Sequence, residues 1–443
     1  MKTGCKPRSK PRCIPHCIPH CIHLAASIFL LFTSQTHAAP ELAPPADLPA
    51  ATAADSVLDA HPAVLAAQAR VAAARAESRR LHAGEYEYQA RAAYTRRDER
   101  NASAMNDWEI GIERGLRLPG KTKLDAATAA TLVAAAEERV GEARHEVARD
   151  LLAAWYAALR GQSEAQAWRE QTALLQQQRE VVAKRIKAGD AARMERSQAE
   201  AAVLQVEAEA RRAESAAAEA IATLAARFPG LPAPMPQPGL VATPQAATGS
   251  AGEWVNAALE HNHELAILQQ ETERMRILAR RQQADLVPDP TLGLHFSRER
   301  SGQDNLLGVS LALPLPGESR RARVDVANQE ARALAQLEAA AKARIEGEIH
   351  ITHTRLQGAL RRLEAQENMA QQLDGYAELA WRAYQLGETA LWEALNARKS
   401  ARDARRETLL SRLDTHEAAA RLLLDTHRLW PFERDHASGR LPR

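Results

Sequence analysis

The segments Ala-Gly-Asp-Ala-Ala-Arg-Met-Glu, at residues 188–195, and Leu-Gly-Glu-Thr-Ala-Leu-Trp-Glu, at residues 386–393, decide the fold. They match at the glycine, at the following acid and at the final glutamate. A second pair of turns, Leu-Pro-Gly at 118–120 and again at 315–317, lies at nearly the same separation of about 197 residues. Equal spacing at two separate places predicts an internal duplication.

The first copy, residues 56–228, begins with a helical pattern. Apolar and polar residues then alternate with a period of two at about 85–95 and 108–118, which predicts the two strands of a hairpin. A Pro-free helical pattern follows, turns at residues 188–191 and returns to about residue 228. The copy is therefore a helix, a β-hairpin, a long helix and a further helix.

The second copy, residues 253–430, repeats this order. Its strands are expected at about 291–300 and 306–315, and its helical turn at 386–389. A linker at 229–252 separates the copies, because its six prolines exclude a helix. Each long helical run has about 68 residues, so at 1.5 Å per residue it would be about 100 Å long.

The residues before and after the two copies differ from them in composition. Residues 1–38 hold five basic residues, followed by a short apolar run and small residues before Ala39, which predicts a secretory signal peptide. All four cysteines lie in this segment, three of them in a Cys-Ile-Pro-His repeat, so the exported chain would lack cysteine. Residues 39–55 are expected to form an extended lead, and residues 431–443 a C-terminal tail.

The 443-residue chain is 45% hydrophobic and 26% charged but only 4% aromatic. This composition favours long helices over an ordinary α/β enzyme and excludes a disordered chain. Without the five basic residues of the signal peptide, 53 basic and 56 acidic residues remain. Such a balance gives no reason to expect nucleic acid as a partner.

The four predicted strands are apolar on one face only, with residues such as Tyr94, Ile110 and Leu294 alternating with polar or small ones. About ten residues per strand suits the apolar band of an outer-membrane barrel, but the smallest such barrels have about eight strands. In lipid an open sheet edge costs several kcal/mol for each unpaired backbone group. The chain must therefore share its barrel with other copies, unless the hairpins pack as a soluble sandwich.

The signal peptide, the two helix–hairpin–long helix–helix units and the proline-rich linker resemble the TolC-type outer-membrane efflux proteins. The resemblance covers residues 56–430. It implies a mainly α-helical fold with a small membrane β-barrel, in which a homotrimer shares twelve strands and continues as a helical tunnel through the periplasm. It also implies outer-membrane lipid, a periplasmic adaptor protein and an RND-type inner-membrane pump as partners, with no cofactor and no catalysis.

The strand-to-helix turn Leu118-Pro-Gly-Lys121 is similar to the heavy-metal (CzcC-like) branch of that family. The resemblance therefore makes heavy-metal cations the expected cargo of a passive export duct. Three alternatives stay open. They are an outer-membrane channel for drugs or secreted substrates, a soluble periplasmic coiled-coil scaffold and an exported hydrolase.

Glu195 and Glu393 stand at equivalent positions, six residues beyond Gly189 and Gly387. In a trimer they would place six carboxylates near the mouth of the tunnel, and such a ring attracts cations. The resemblance implies an acidic constriction at this position of the helix. The second acidic position that it implies on the later helix is Asn396 here. A solvated helix face is the alternative interpretation.

The turns between the paired helices contain Gly189, Asp190, Gly387 and Glu388. The resemblance implies that these turns are the periplasmic tips to which an adaptor docks. A glycine is also what the C-terminus of any helix prefers, so the residues alone do not assign this role.

Two other motifs point to ligands. Glu346, His350 and His353 share one stripe of a helix, at a spacing compatible with a divalent metal, and are weak candidates. Residues 115–122 match the phosphate-loop pattern G-x-x-x-x-G-K-[ST]. The equivalent turn of the second copy, Gly317-Glu318-Ser319, lacks the lysine, so the turn has a role that needs no nucleotide.

Overall fold

The structure is a computed structural model that describes residues 41–98, 100, 103–235 and 244–430. The predicted signal peptide with its cysteines, the first two residues of the predicted lead and the predicted C-terminal tail lie outside the described residues. Eight residues of the predicted linker, 236–243, lie outside them as well.

The described residues contain eight α-helices, which fall into two groups of four along the chain. The bounds are α1 Ala51–Asp59, α2 Pro62–Ala83, α3 Pro119–Ala188, α4 Arg193–Arg227, α5 Ala251–Glu260, α6 His263–Ala284, α7 Glu318–Leu386 and α8 Leu391–Asp425. The mainly helical fold predicted from the sequence is confirmed, and α3 and α7 have 70 and 69 residues.

The start of each group differs from the expected single helix. Helix α1 begins at Ala51, inside the expected extended lead, because Ala54 and Leu58 are buried in the core. Pro62 then starts a separate helix, since proline has no N–H and is suited to the first helical position. In the second group, the Asn262 side chain accepts the Leu265 N–H at 2.8 Å and so starts α6.

Four antiparallel strands form one sheet in the order β1-β2-β3-β4. Their bounds are β1 Gln89–Arg97, β2 Met105–Gly115, β3 Thr291–Glu299 and β4 Asp304–Ala312. Each hairpin pairs within itself, and β2 pairs with β3 from Trp108↔Arg298 to Gly115↔Thr291. Strands β1 and β4 are therefore the edges of the sheet, and neither has a second partner strand within it.

Strand bounds shift by a few residues from those expected. Strand β1 begins at Gln89 rather than at about 85, since its pairing with β2 starts at Gln89↔Glu113, and Tyr86 before it donates a hydrogen bond of 2.9 Å to the Asp289 carboxylate. Strands β2 and β4 each end about three residues early, since the pairing ends at Gly115 and Ala312.

One face of the sheet is apolar along the middle of its strands and is open, whereas arginine and asparagine lie on it near the strand ends. Ala92, Ile110, Phe296 and Leu307 form one row across the four strands, as the register requires. The side chains of this face are largely exposed, and Leu307 is 74% accessible. The opposite face carries mostly small, polar and charged residues, with Met105 and Leu306 near the strand ends: Arg91, Glu109, Gly111, Glu113, Gly293, His295, Ser297, Gly308 and Ser310.

The helices pack side by side, with α3 against α2, α4, α6 and α8, and α7 against α5, α6 and α8. The main core lies around the middle of α3, where Tyr156 is fully buried, as is Trp254 of α5. The segment after α8 closes this core, because Leu429 and Trp430 are buried in it. Within the described residues, none of the helices has both the length and the apolar character that crossing a bilayer requires.

Candidate functional site at the helical hairpin tips

Helices α3 and α4 form one helical hairpin, α7 and α8 form the other, and the tips of the two hairpins pack together. Their buried contact, the tip cluster, contains one to two residues from each of the four helices: Val182, Ala199, Tyr384, Leu391 and Ala394. The structure therefore brings the two predicted tips into one site, although they are about 198 residues apart in the sequence.

Gly189 and Gly387 end the long helices in the left-handed backbone conformation, with φ of 85° and 81°. The amide of the following residue closes each end: Asp190 N–H donates to the Arg185 carbonyl, and Glu388 N–H donates to the Ala383 carbonyl, both at 2.9 Å. This is a Schellman-type end, for which glycine is favoured. Asp190 and Glu388 are left exposed at the apex.

Glu195 is held by contacts on two sides. Its carboxylate accepts a hydrogen bond from the Tyr384 hydroxyl at 2.7 Å and another from the Ala192 N–H at 3.4 Å. Burial, followed by the hydrogen bond to Glu195 and the negative charge of that residue, raises the pKa of Tyr384 to about 12. The neutral tyrosine therefore joins the end of α7 to the first turn of α4.

Arg185 supplies a second connection between the tips. Its Nη1 donates to the Tyr384 carbonyl at 2.6 Å, and its guanidinium carbon lies 4.5 Å from the centroid of the tyrosine ring. A cation over an aromatic face contributes about 0.5–2 kcal/mol. Arg185, Tyr384 and Glu195 thus form a chain of contacts from one hairpin to the other, named here the tip latch.

Glu393 and Asn396 are in a different environment from Glu195. Both are exposed, and Glu393 accepts a hydrogen bond from the Thr389 hydroxyl within its own turn. Glu195 and Glu393 both occupy the third position of their helix, where the positive end of the helix dipole stabilises a carboxylate. The two glutamates are equivalent in the sequence. In the structure, Glu195 is paired with Tyr384 of the other hairpin, whereas Glu393 is exposed to solvent.

Tyr384 and Arg185 are not among the site residues predicted from the sequence. A local signal exists, because each lies in the last turn before a tip glycine. Their partners, however, lie on the other hairpin. The contact between Tyr384 and Glu195 spans 189 residues, so only the packing of the two copies brings it together.

Large apolar side chains are exposed around the same tips. Met194 and Trp392, which occupy equivalent second positions of α4 and α8, are 68% and 61% accessible. Leu386, in the last turn of α7, is 69% accessible. These three exposed apolar residues stand next to the tip turns in the sequence.

The structure separates the members of the proposed metal stripe. His350 is exposed, whereas His353 is buried and burial, followed by the charge of His350, lowers its pKa. Glu346 is half-buried. In the described ranges, no three histidine, cysteine or acidic side chains form a group that could hold a metal ion.

Lys121, the lysine of the phosphate-loop-like turn, is buried and paired within the chain. Its Nζ lies 2.9 Å from carboxylate oxygens of both Asp285 and Asp289 and donates to the Val287 carbonyl at 2.7 Å. All three partners lie between α6 and β3, so this junction clamp joins the first copy to the second. The lysine therefore has a structural partner where a nucleotide phosphate would otherwise be expected.

A duplicated helix–hairpin–helix–helix unit around a single antiparallel sheet is the fold of solved outer-membrane channels. The chain is similar to VceC from Vibrio cholerae, with 18% identity and a TM-score of 0.69, over 86% of this chain and 95% of that chain. It is similar to CusC, with 16% identity and a TM-score of 0.72, over 86% and 92%. The MtrE channel of Neisseria gonorrhoeae, solved in its open state, matches with 13% identity and a TM-score of 0.67, over 86% and 89%.

Residues 254–424 match the outer membrane efflux protein family. This range covers most of the second copy, so the resemblance to TolC-type efflux proteins is confirmed by sequence there and by fold over both copies. No curated protein sequence matches the chain significantly.

Proposed function

We propose that the chain is the outer-membrane channel of a tripartite efflux system, working as a passive duct rather than as an enzyme. Three copies would each contribute four strands to a twelve-stranded barrel in the outer membrane. The long helices would continue from the barrel as a tunnel through the periplasm. The family match of residues 254–424 and the fold shared with solved channels support this class.

The observation that carries the proposal is a sheet that is apolar on one face and open at both edges. Its strands have 9, 11, 9 and 9 residues, and a membrane-spanning strand needs about 9–11. Exposed apolar side chains cover one face, and unpaired backbone groups line β1 and β4. Lipid accounts for the apolar face, and pairing of β4 with β1 of the next copy accounts for both edges.

The other face of the sheet supports a water-filled interior. Arg91 and Glu113 lie on it 3.6 Å apart at their closest charged atoms, beside glycines, serines and His295. Charged pairs of this kind are stable in water and costly in lipid. The polar face would line the lumen of the barrel, as the alternation of a membrane strand requires.

The tips are where we expect the partner proteins. Met194, Leu386 and Trp392 offer apolar contact area, and Asp190 and Glu388 offer charge at the apex. A periplasmic adaptor would bind here and connect the duct to an RND-type inner-membrane pump. Opening would then break the tip latch, because Tyr384 and Glu195 lie on different hairpins.

For the cargo we propose heavy-metal cations. Support comes from the likeness of the turn at residues 118–121 to the heavy-metal branch, and from the carboxylates Glu195 and Glu393 near the tips. A ring of carboxylates at the mouth would attract cations and repel anions, whereas it would exert little force on a neutral drug. Replacing both glutamates by glutamine is expected to lower the ratio of cation to anion permeability in planar bilayers. A ratio that does not change would favour an organic or secreted cargo.

Cell fractionation, followed by conductance measurements on the purified chain, tests whether it is an outer-membrane channel. We expect recovery with the outer membrane, a three-copy species on unheated gels that dissociates on boiling, and discrete single-channel currents. A soluble periplasmic scaffold, the alternative class, would remain in the supernatant of the membrane spin and give no currents.

A further inference from the structure

Three histidines from distant parts of the chain meet beside the main core. His145 lies on α3, His263 is the first residue of α6, and His427 follows the end of α8. The ring centroid of His427 lies 4.8 Å from that of His145 and 5.1 Å from that of His263. His427 is therefore the middle ring of this histidine cluster.

The two outer rings have acidic partners and the middle ring does not. His263 Nδ1 lies 2.9 Å from the Glu138 carboxylate, and His145 Nε2 lies 3.6 Å from that of Asp425. The Nε2 atom of His427 is buried and has no hydrogen-bond partner among the described residues. A proton on Nε2 of the middle ring would therefore have no acceptor among the described residues.

Charged groups from each packed element also face the cluster. Helix α3 contributes Glu138, Glu142 and Arg149, and the α5–α6 turn contributes His261 beside His263. On the side of α8, the Asp425 carboxylate is already paired with Arg149 and Arg421, at 3.1 and 2.9 Å. The nearest acid to His427 in the sequence is thus neutralised by arginine.

His427 belongs to a short segment that is held down at both ends. His427 and Trp430 both have left-handed backbone, with φ of 57° and 49°, a conformation that non-glycine residues adopt only where their surroundings enforce it. Arg144, on α3, donates to the Trp430 carbonyl at 2.6 Å and also pairs with Asp55 and Asp59 of α1. Release of this segment would separate the end of the second copy from α3 of the first.

We propose that the histidine cluster is an acid-sensitive lock that holds the segment Thr426–Trp430 on α3 while His427 is neutral and releases it when His427 gains a proton. A charged His427 would lie half-buried between two other imidazoles, with no acceptor at Nε2 and with the Asp425 carboxylate already paired with two arginines. The segment would then leave its site, and its strained backbone would relax.

The pKa of His427 agrees with this assignment. Burial, followed by the positive charges that His145, His263 and His261 can carry, lowers it to about 3. The released segment would titrate near the ordinary histidine value of about 6.5. Because the docked pKa is the lower one, docking is fully favoured above pH 6.5. It becomes about tenfold less favoured for each pH unit below that, until about pH 3.

The test follows the segment itself in the full-length chain, so its result does not depend on whether the chain conducts. The four cysteines are replaced by serine, and Arg428→Cys is labelled with bimane. The Arg428 guanidinium carbon lies 5.0 Å from the Trp254 ring centroid, so this tryptophan should quench the docked label. We expect reversible dequenching between pH 6.5 and 4, while circular dichroism shows that the helices remain.

Two variants separate this lock from general acid weakening. His427→Gln cannot gain a charge, so its label should stay quenched to pH 4, whereas His350→Gln, at an exposed histidine of α7, should dequench like the parent. If His427→Gln is already dequenched at pH 7, His263→Gln decides, because removing a neighbouring cation should move the midpoint to lower pH. A parent that stays quenched to pH 4 would overturn the proposal, as would variants with an unchanged midpoint.

Discussion

Replacing Lys121 by methionine should destabilise the chain strongly, because the side chain is buried between two carboxylates. Lys121 is 2% exposed, and the Asp289 side chain is 3% exposed. Methionine retains the length of the side chain and removes the charge and the donors. Asp289 would keep its hydrogen bonds from the Leu118 N–H and the Tyr86 hydroxyl but lose its cation.

The size of the effect follows from the burial of both partners. Removing one member of a buried ion pair typically costs about 3–5 kcal/mol, because the other charge is left uncompensated. Asp285 recovers part of this through Arg281, with which it also pairs. We therefore expect a loss of about 3 kcal/mol in the free energy of unfolding. The double variant Lys121→Met, Asp289→Asn should regain at least about 1 kcal/mol, since no buried charge then remains at Asp289.

Urea unfolding of the detergent-solubilised chain, followed by circular dichroism, measures this difference. Lys123→Met is the matched control, because Lys123 lies two residues further along the same turn and is exposed. It should change the free energy by less than about 0.5 kcal/mol. If Lys121→Met is no less stable than Lys123→Met, or if the double variant is weaker than the single one, the junction clamp is refuted.

The pH dependence of the free energy of unfolding tests the junction clamp in a second way. Burial alone would raise the pKa of Asp289, but hydrogen bonds from Lys121, the Leu118 N–H and Tyr86, together with the lysine charge, outweigh burial and lower it. A lowered carboxyl pKa stabilises the fold above the unfolded value, about 3.9, and this contribution is lost as pH falls through the folded value. The difference between the parent and Lys121→Met should therefore shrink below about pH 4.

Three further predictions concern the tips and the sheet. Tyr384→Phe removes the hydroxyl that Glu195 accepts, a bond to a charged group worth about 1.5–3 kcal/mol, so open probability in single-channel recordings should rise at least tenfold; an unchanged value would exclude the tip latch as a gate. Trp392→Ser should weaken binding of the purified adaptor at least tenfold by titration, whereas Leu337→Ser, at a similarly exposed residue of α7, should not; equal losses would move the docking surface away from the tips. Leu307→Arg, on the apolar face of β4, should cost about 2–4 kcal/mol of membrane stability and Ser310→Arg, on the other face, much less; the reverse order would mean that the faces are assigned wrongly.

The long helices were predictable because local chemistry fixes them. Helix α3 runs to Ala188 without an internal proline and ends at a glycine in the left-handed conformation, and α7 does the same at Leu386. The apolar face of the sheet was also readable from period-two alternation, because neighbouring strands in register keep their apolar residues on one side. Strand ends were less predictable, since they depend on where the partner strand stops pairing.

Some residues of the tip site could be predicted from the sequence, but the contacts between them could not. The tip glycines and Glu195 are marked by their place in a duplicated motif. Tyr384, which binds Glu195, has no sequence signal that connects it to a residue 189 positions away. Lys121 was misleading for the same reason, because the eight residues 115–122 matched a phosphate-loop pattern while the partners of the lysine lay about 165 residues further along the chain.

If other copies complete the barrel, as we propose, β4 of one chain lies beside β1 of the next, and a disulfide between these two strands would join the chains. Ala92 and Val309 lie mid-strand at the two edges, three strands and two residues of register apart, so within one chain they are more than about 14 Å apart, too far for a disulfide. With the native cysteines replaced, Ala92→Cys, Val309→Cys oxidised in the cell envelope should give a covalent three-chain ring and no larger species. Chains that remain single after oxidation, with both thiols still reactive, would mean that the strands of different copies do not pair.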